Sequence, residues 1–305
     1  MILTVTLNPA IDVRYEIADF AVDKIFRAKA NKTPGGKGLN VSRVLNILGT
    51  PVTATGFLGG ANGTWIKDSL QTLNIKDYFV NTASETRNCI AVLGKGSQTE
   101  ILEPGAEIQP HELEEFLSQF KSVLNKFEVI CISGSLPKGL PGNIYKVLCE
   151  LGKNKKIILD TSGSSLVEAL SGKPFLIKPN QEELESILNK KLDSLQDLIN
   201  GAKELQNLGA QNILLSLGKD GAIYLNKDNI YKVSIPKIQV LNPVGSGDSS
   251  VAGFAHGLYN NYSIEDTLKF SMACGMSNAM SNETGYVNIE IIENLIKNII
   301  VEKIG

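Results

Sequence analysis

Six short apolar runs recur along the chain: Leu3 to Leu7, Thr53 to Phe57, Val129 to Ser133, Lys156 to Asp160, Phe175 to Lys178 and Asn212 to Ser216. Between them lie stretches whose apolar residues return every three or four positions. Val41, Val44, Leu45 and Leu48 are closed by Gly49; Leu113, Phe116, Leu117, Phe120, Val123 and Leu124 repeat the pattern. So do Leu195, Leu198, Ile199, Ala202, Leu205 and Leu208 before Gly209, and Ile291, Ile292, Leu295, Ile296, Ile299 and Ile300 near the end. Strands alternating with amphipathic helices predict an α/β fold with a doubly wound sheet. Two regions break the alternation. Val13 to Phe20 with Ile25 to Lys32, and Asn88 to Leu93 with Gln98 to Leu102 across Gly94-Lys95-Gly96-Ser97, are expected to be inserted β-structure. A small sheet of this kind serves as a lid, a dimer contact, both, or an ordinary edge hairpin.

The 305 residues are 43% hydrophobic and 20% charged, with a formal charge of −2, enough for a large core and without the basic excess of a nucleic-acid or anionic-membrane surface. Any anion site must therefore be built locally. Met1 to Asn8, stopped by Pro9, is expected to be a buried first strand, too short for a signal peptide or membrane span. Cys89, Cys131, Cys149 and Cys274 lie far apart, and only His111 and His256 could join them around a metal, so reduced thiols in a cytoplasmic protein are expected. With no Gly-x-Ser-x-Gly elbow and no well-placed His, a carboxylate is the expected base.

Two glycine-rich turns precede helical stretches. In Pro243-Val244-Gly245-Ser246-Gly247-Asp248 the turn leads into a helix over Ser249 to Tyr259, and free backbone N–H groups plus the positive end of the dipole favour an anion there. Asp248 reads either as the N-cap of that helix or as a base beside a phosphate. In Pro34-Gly35-Gly36-Lys37-Gly38-Leu39-Asn40 the spacing excludes a Walker A loop, because Gly38 follows Lys37. Gly36, Lys37 and Asn40 suit a phosphorylated, hydroxyl-rich ligand, with Asp12 at the end of the first strand accepting hydroxyl hydrogen bonds. Asn8-Pro9-Ala10 after that strand argues against a dinucleotide-binding turn.

Together these pieces resemble the ribokinase-like carbohydrate kinases of the phosphofructokinase-B type. Gly35-Gly36-Lys37-Gly38-x-Asn40 is similar to that family's N-terminal signature and Gly245-Ser246-Gly247-Asp248 to its C-terminal one. Asn180-Gln181-Glu182-Glu183 is similar to its Asn-x-x-Glu element, and Ser216-Leu217-Gly218-Lys219-Asp220-Gly221 to its nucleotide loop. Four motifs in order cover essentially the whole chain. Thr86 to Ile90, Gln98 to Glu103, Leu241 to Gly245 and Thr284 to Asn288 look most like the branch acting on tagatose 6-phosphate, with the fructose 1-phosphate branch its nearest competitor.

The resemblance implies one three-layer α/β/α domain over residues 1–305, a mainly parallel central sheet, and a small β-lid inserted at about 13–33 and 87–104. It implies ATP and Mg²⁺, transfer of the γ-phosphoryl to a sugar hydroxyl, and a homodimer through the lid. Gly245, Ser246 and Gly247 would form the anion hole and Asp248 the base. Asp12, Gly36, Lys37, Asn40, Arg87 and Lys138 would hold the sugar phosphate, with Arg27 reaching its own or a partner's site. Lys178, Asn180, Ser216, Gly218, Gly221 and Asn278 would border the nucleotide, and Glu183 would reach Mg²⁺ through water. A sugar-phosphate sensor without turnover is the alternative of another class.

Overall fold

A computed structural model describes residues 1–94 and 97–305, so the expected turn through Lys95 and Gly96 lies outside the described residues. In chain order the elements are β1 (Ile2–Thr6), β2 (Ala10–Glu16), β3 (Ala30–Gly35), α1 (Lys37–Ile47), β4 (Val52–Gly59), α2 (Gly60–Thr72), β5 (Lys76–Thr82), β6 (Arg87–Gly94), β7 (Ser97–Leu102) and α3 (Pro110–Val123). There follow β8 (Val129–Ser133), α4 (Ile144–Leu151), β9 (Lys156–Asp160), α5 (Gly163–Leu170), β10 (Leu176–Ile177), α6 (Gln181–Leu188) and α7 (Leu195–Asn207). The last are β11 (Asn212–Ser216), β12 (Ala222–Leu225), β13 (Ile230–Ser234), α8 (Ser246–Tyr259), α9 (Ile264–Ala279), α10 (Ile289–Ile296) and β14 (Ile300–Lys303).

The large sheet runs β14-β13-β12-β11-β10-β9-β8-β1-β4-β5. From β5 to β11 every pairing is parallel, and β12 to β14 extend the edge antiparallel. Alternate residues of one strand enter different cores. On β8, Val129 and Cys131 face one core with α1, α8 and α9, whereas Ile130 and Ile132 face the other with α3, α4 and α7. Parallel strands covered on both faces explain why they read as unbroken apolar runs. The result is helices, sheet, helices, with the connecting turns at the strands' C-terminal ends.

The smaller sheet has the order β3-β2-β6-β7, and β2 pairs parallel with β6 from Ala10↔Arg87 to Glu16↔Leu93. Three boundaries differ from the sequence reading. β2 opens at Ala10, so Asp12 sits within a lid strand and not at the end of β1. Phe20 and Ile25 belong to no strand: the β2–β6 register ends at Glu16↔Leu93 and the β2–β3 register at Tyr15↔Ala30. The last helix stops at Ile296, where Asn298 N donates to Leu295 O; Ile300 instead opens β14, which pairs with β13 through Val301↔Val233.

Candidate active site

The strand ends β1, β8, β9, β10 and β11, the starts of α1 and α8, and the lid strands enclose a cleft of about 950 Å³. Clefts outside the carboxyl ends of parallel strands are where open α/β sheets bind ligands, and this volume suits two small substrates. Among the expected residues, the cleft is lined by Asp12, Gly36, Lys37, Asn40, Arg87, Lys178, Asn180, Glu183, Ser216, Gly245, Gly247 and Asp248. Ser246 lies within the same turn, its Oγ facing Asn278 Nδ2 at 3.3 Å.

α8 begins at Ser246 with Gly245 as its N-cap at φ 82°, so Asp248 is three residues inside the helix and is not the cap. A Cβ on Gly245 would come within 2.8 Å of Thr284 Cγ2 and 3.1 Å of Gly285 N. Positive φ and that close approach together require glycine at this turn. Asp248 is buried, and its Oδ2 accepts from Asn40 Nδ2 at 2.8 Å. Because α1 starts at Lys37 rather than near Val41, Asn40 lies in the first turn with its side chain free for that bond. Burial, reinforced by the Asp160 charge, pushes the Asp248 carboxyl up to about 6; Lys37, the Asn40 hydrogen bond and Lys178 oppose the rise.

Asp160, which the sequence reading placed only as a strand end, is the charge centre of the floor. It is 1% exposed, with Lys37 Nζ 3.5 Å and Lys178 Nζ 3.6 Å from Oδ1, and neither carboxylate oxygen accepts a hydrogen bond among the described residues. The same charge is the main cause that raises the Lys37 pKa. Lys178 is buried and its Nζ lies 3.1 Å from where a Cβ on Gly247 would stand, so an ammonium sits directly against the Gly245 to Gly247 turn. A polar end to the apolar run Ile157-Ile158-Leu159-Asp160 was the available signal.

On the lid side, a Cβ on Gly35 would fall 2.1 Å from Asp12 Cγ, so glycine there makes room for the carboxylate. Burial pushes Asp12 up to about 6, against the pull of Arg43 and Arg87. Arg43, also missed, is buried on α1 with Nη1 3.5 Å from Asn40 Oδ1. Arg87 Nη1 donates to Glu103 O at 2.9 Å and Nη2 to Asn8 O at 3.1 Å.

Asn180 and Glu183 form a capping box at the start of α6: Glu183 N donates to Asn180 Oδ1 at 2.7 Å, and Asn180 N to Glu183 Oε2 at 2.9 Å. Glu183 is therefore half-buried at a helix start rather than one acid on a solvated face.

Besides Ser246, five expected residues stand outside the cleft lining. Lys138 is exposed, its backbone carbonyl accepting from Ile108 N, and it is not among the residues lining the cleft. Arg27 is exposed beside Tyr15 and Phe26 and does not reach the site of its own protomer. Asn278 is fully buried and committed: Nδ2 donates to Val244 O at 2.8 Å, and Oδ1 accepts from Gly285 N and Ser249 Oγ. It braces the Gly245 to Gly247 turn and has no free group for an adenosine. Gly218 and Gly221 bound the turn between β11 and β12, behind Ser216.

Comparison with known proteins matches residues 6–290 to the model of the pfkB family carbohydrate kinases. The tagatose-6-phosphate kinase of Staphylococcus epidermidis is 45% identical over 311 aligned positions, covering 98% of each chain. A candidate phosphofructokinase from Staphylococcus aureus superposes with a TM-score of 0.88 at 35% identity, over 100% of this chain and 99% of that one. Phosphofructokinase-2 from Escherichia coli, in complex with substrates and products, gives 0.89 at 28% identity over 97% and 98% of the two chains.

Proposed function

Because the chain belongs to the pfkB family of carbohydrate kinases, we propose that it transfers the γ-phosphoryl of ATP to the C1 hydroxyl of D-tagatose 6-phosphate, giving the 1,6-bisphosphate and ADP. One observation carries the catalytic reading: a buried carboxylate, Asp248, oriented by Asn40 and set one residue past the Gly245 to Gly247 turn at the start of α8. The acceptor hydroxyl gives its proton to Asp248 as its oxygen bonds to the γ-phosphorus. The bond from that phosphorus to the β-bridging oxygen breaks, and ADP leaves. Backbone N–H groups of the turn, Lys178 beside Gly247, and Lys37 offer positive charge to the moving group. A base facing an anion hole favours turnover over sensing without turnover.

The donors present fit a magnesium ion shared with phosphates. Asp160 holds two buried carboxylate oxygens that accept no hydrogen bond among the described residues, with Oδ1 paired to Lys37 and Lys178, Glu183 faces the same cleft, and no cluster of three or more Cys, His, Asp and Glu forms a closed cage among the described residues. Bound there, the ion would neutralise phosphate charge. Asp12 and Asn40 suit the sugar hydroxyls, Arg87 the distal phosphate, and Asn180 and Ser216 the nucleotide.

The large apolar residues Ile25, Ile101 and Leu102, exposed on the lid segments, support a homodimer paired through the lid. Four free cysteines, three of them buried, support the reducing cytoplasm; no helix among the described residues is long and apolar enough to cross a membrane.

The deciding experiment measures ADP release with tagatose 6-phosphate, fructose 6-phosphate and fructose 1-phosphate. The highest kcat/KM is expected for tagatose 6-phosphate, with activity on fructose 6-phosphate because the two differ only at C4. A clear preference for fructose 1-phosphate would overturn the substrate assignment.

A further inference from the structure

Asp12, Arg14 and Glu16 occupy alternate positions of β2 and so share one face of the lid strand, and Asp12 and Arg14 line the cleft. Arg14 is held from two sides. Its Nη2 lies 3.2 Å from Glu16 Oε1, and its Nη1 donates to the backbone carbonyl of Asn282, in the loop between α9 and α10. The lid is thus hydrogen-bonded to the body of the protein across the cleft mouth, away from its own chain connections.

The carbonyl that Arg14 reaches has a second donor. Asn242 Nδ2 donates to Asn282 O at 3.3 Å and to Thr284 Oγ1 at 3.2 Å, while Asn242 Oδ1 accepts from Val244 N at 3.0 Å. Val244 and Gly245 are the residues that open the anion-hole turn, and Gly245 packs on Thr284 and Gly285 of the same loop. A continuous path of polar contacts therefore runs from the lid strand carrying Asp12 to the turn leading into Asp248.

We propose that Arg14 is a positioning residue, a latch through which closure of the lid on the sugar phosphate sets the anion-hole turn for the nucleotide. The proposal rests on the kinase reading above and adds to it a coupling between the two substrates. Where lid closure and turn geometry are one event, each ligand raises the affinity for the other by the same factor. Arg14 touches neither reacting atom and acts through Asn282 and Asn242.

The test compares the parent enzyme with Arg14→Met and Arg14→Lys. Affinity for a non-hydrolysable ATP analogue is titrated with and without saturating tagatose 6-phosphate, and deuterium uptake is followed in the unliganded protein. In the parent, the sugar phosphate is expected to tighten the analogue roughly tenfold. In Arg14→Met the gain falls below about twofold, and residues 240–248 take up deuterium faster; Arg14→Lys, which keeps one donor, falls between. Full coupling in Arg14→Met, or faster exchange confined to β2, would overturn the latch. If Arg14→Met does not fold, Asn242→Asp keeps the acceptor for Val244 N but loses the donor to Asn282 O. It should lose the coupling as well, and unchanged coupling there would also overturn the proposal. A parent enzyme releasing no ADP with any sugar phosphate counts against the kinase reading instead, and the exchange measurement still decides the latch.

Discussion

Asn40 and Asp248 are 208 residues apart in the chain, and the Asn40 amide donates to the Asp248 carboxylate at 2.8 Å where the first turns of α1 and α8 meet. The bond does two things. It aims the carboxylate, and it favours the ionised form that a base requires. Asp248→Asn is expected to lower kcat by about 10²- to 10⁴-fold while ATP and sugar-phosphate binding persist. With the Asp248 carboxyl at about 6, kcat/KM should fall as pH drops below that value. Two substitutions should move this acid limb in opposite directions. Asn40→Ala removes a stabiliser of the charged form and shifts the limb up; Asp160→Asn removes the neighbouring negative charge and shifts it down. A pH profile unmoved by both would sink the base assignment.

The same burial makes Asp248 costly to the fold. Its pKa rises from an ordinary 3.8 to about 6, so the folded protein holds the proton more tightly than the unfolded chain. That favourable contribution is complete below about pH 4 and is lost as pH rises through about 6. Above it, the ionised carboxylate weighs against folding. Asp248→Asn should therefore melt a few degrees higher than the parent at pH 8, with the gain shrinking towards pH 4. Thermal unfolding across that range is the measurement, and an Asn variant no more stable at pH 8 would contradict the burial cost.

The sequence displayed β1, β4, β8, β9, β10 and β11 because strands covered on both faces read as unbroken apolar runs, but not the parallel edge strand β5, whose residues are only partly buried. It hid β12, β13 and β14, whose antiparallel edge pairing leaves a mixed pattern in β13 and β14, and Ile299 with Ile300 continued a helical period past the point where the backbone turns into β14. The glycine turns were legible because only glycine serves where Gly245 meets Thr284 and Gly285. Asp160 was not, since its meaning comes from Lys37 and Lys178, which converge on it from other elements. Asn278 was misread because a helix period does not say that every polar atom of a buried amide is already bonded within the protein.

Glu183 offers a substitution that separates charge from structure. A Gln at that position can still accept from Asn180 N, so the capping box should survive and stability change by less than about 1 kcal/mol. The charge facing the cleft is gone. The magnesium concentration for half-maximal rate is expected to rise several-fold, with the melting temperature nearly unchanged. A magnesium titration identical to the parent's would leave Glu183 only as a cap.

The proposed dimerisation through the lid rests on Ile101 at 58% and Leu102 at 61% exposure on the edge strand β7. Light scattering at assay concentration should give twice the 33.0 kDa chain mass, and Leu102→Glu should shift the protein towards the monomer by charging that face. A parent monomer would remove the lid pairing, and with it the reach of Arg27 into a partner's site.

Arg87 tests where the distal phosphate binds. Both terminal nitrogens are anchored, to Glu103 O and Asn8 O, which fixes the plane of the guanidinium at the cleft wall, and Nε has no hydrogen-bond partner among the described residues. A rigid cation is suited to a phosphate dianion, and losing charge-assisted bonds of about 1.5–3 kcal/mol corresponds to roughly 10- to 100-fold in affinity. Arg87→Ala should raise KM for tagatose 6-phosphate by that factor and leave KM for ATP within about twofold. Lys in its place restores the charge without the planar fork, so only partial recovery is expected. A control separates phosphate recognition from damage to the lid. Unphosphorylated tagatose should be phosphorylated no worse by Arg87→Ala than by the parent, because it carries no group for Arg87 to hold. Equal losses on tagatose and its 6-phosphate would mean that Arg87 serves the lid's structure and that the phosphate is held elsewhere.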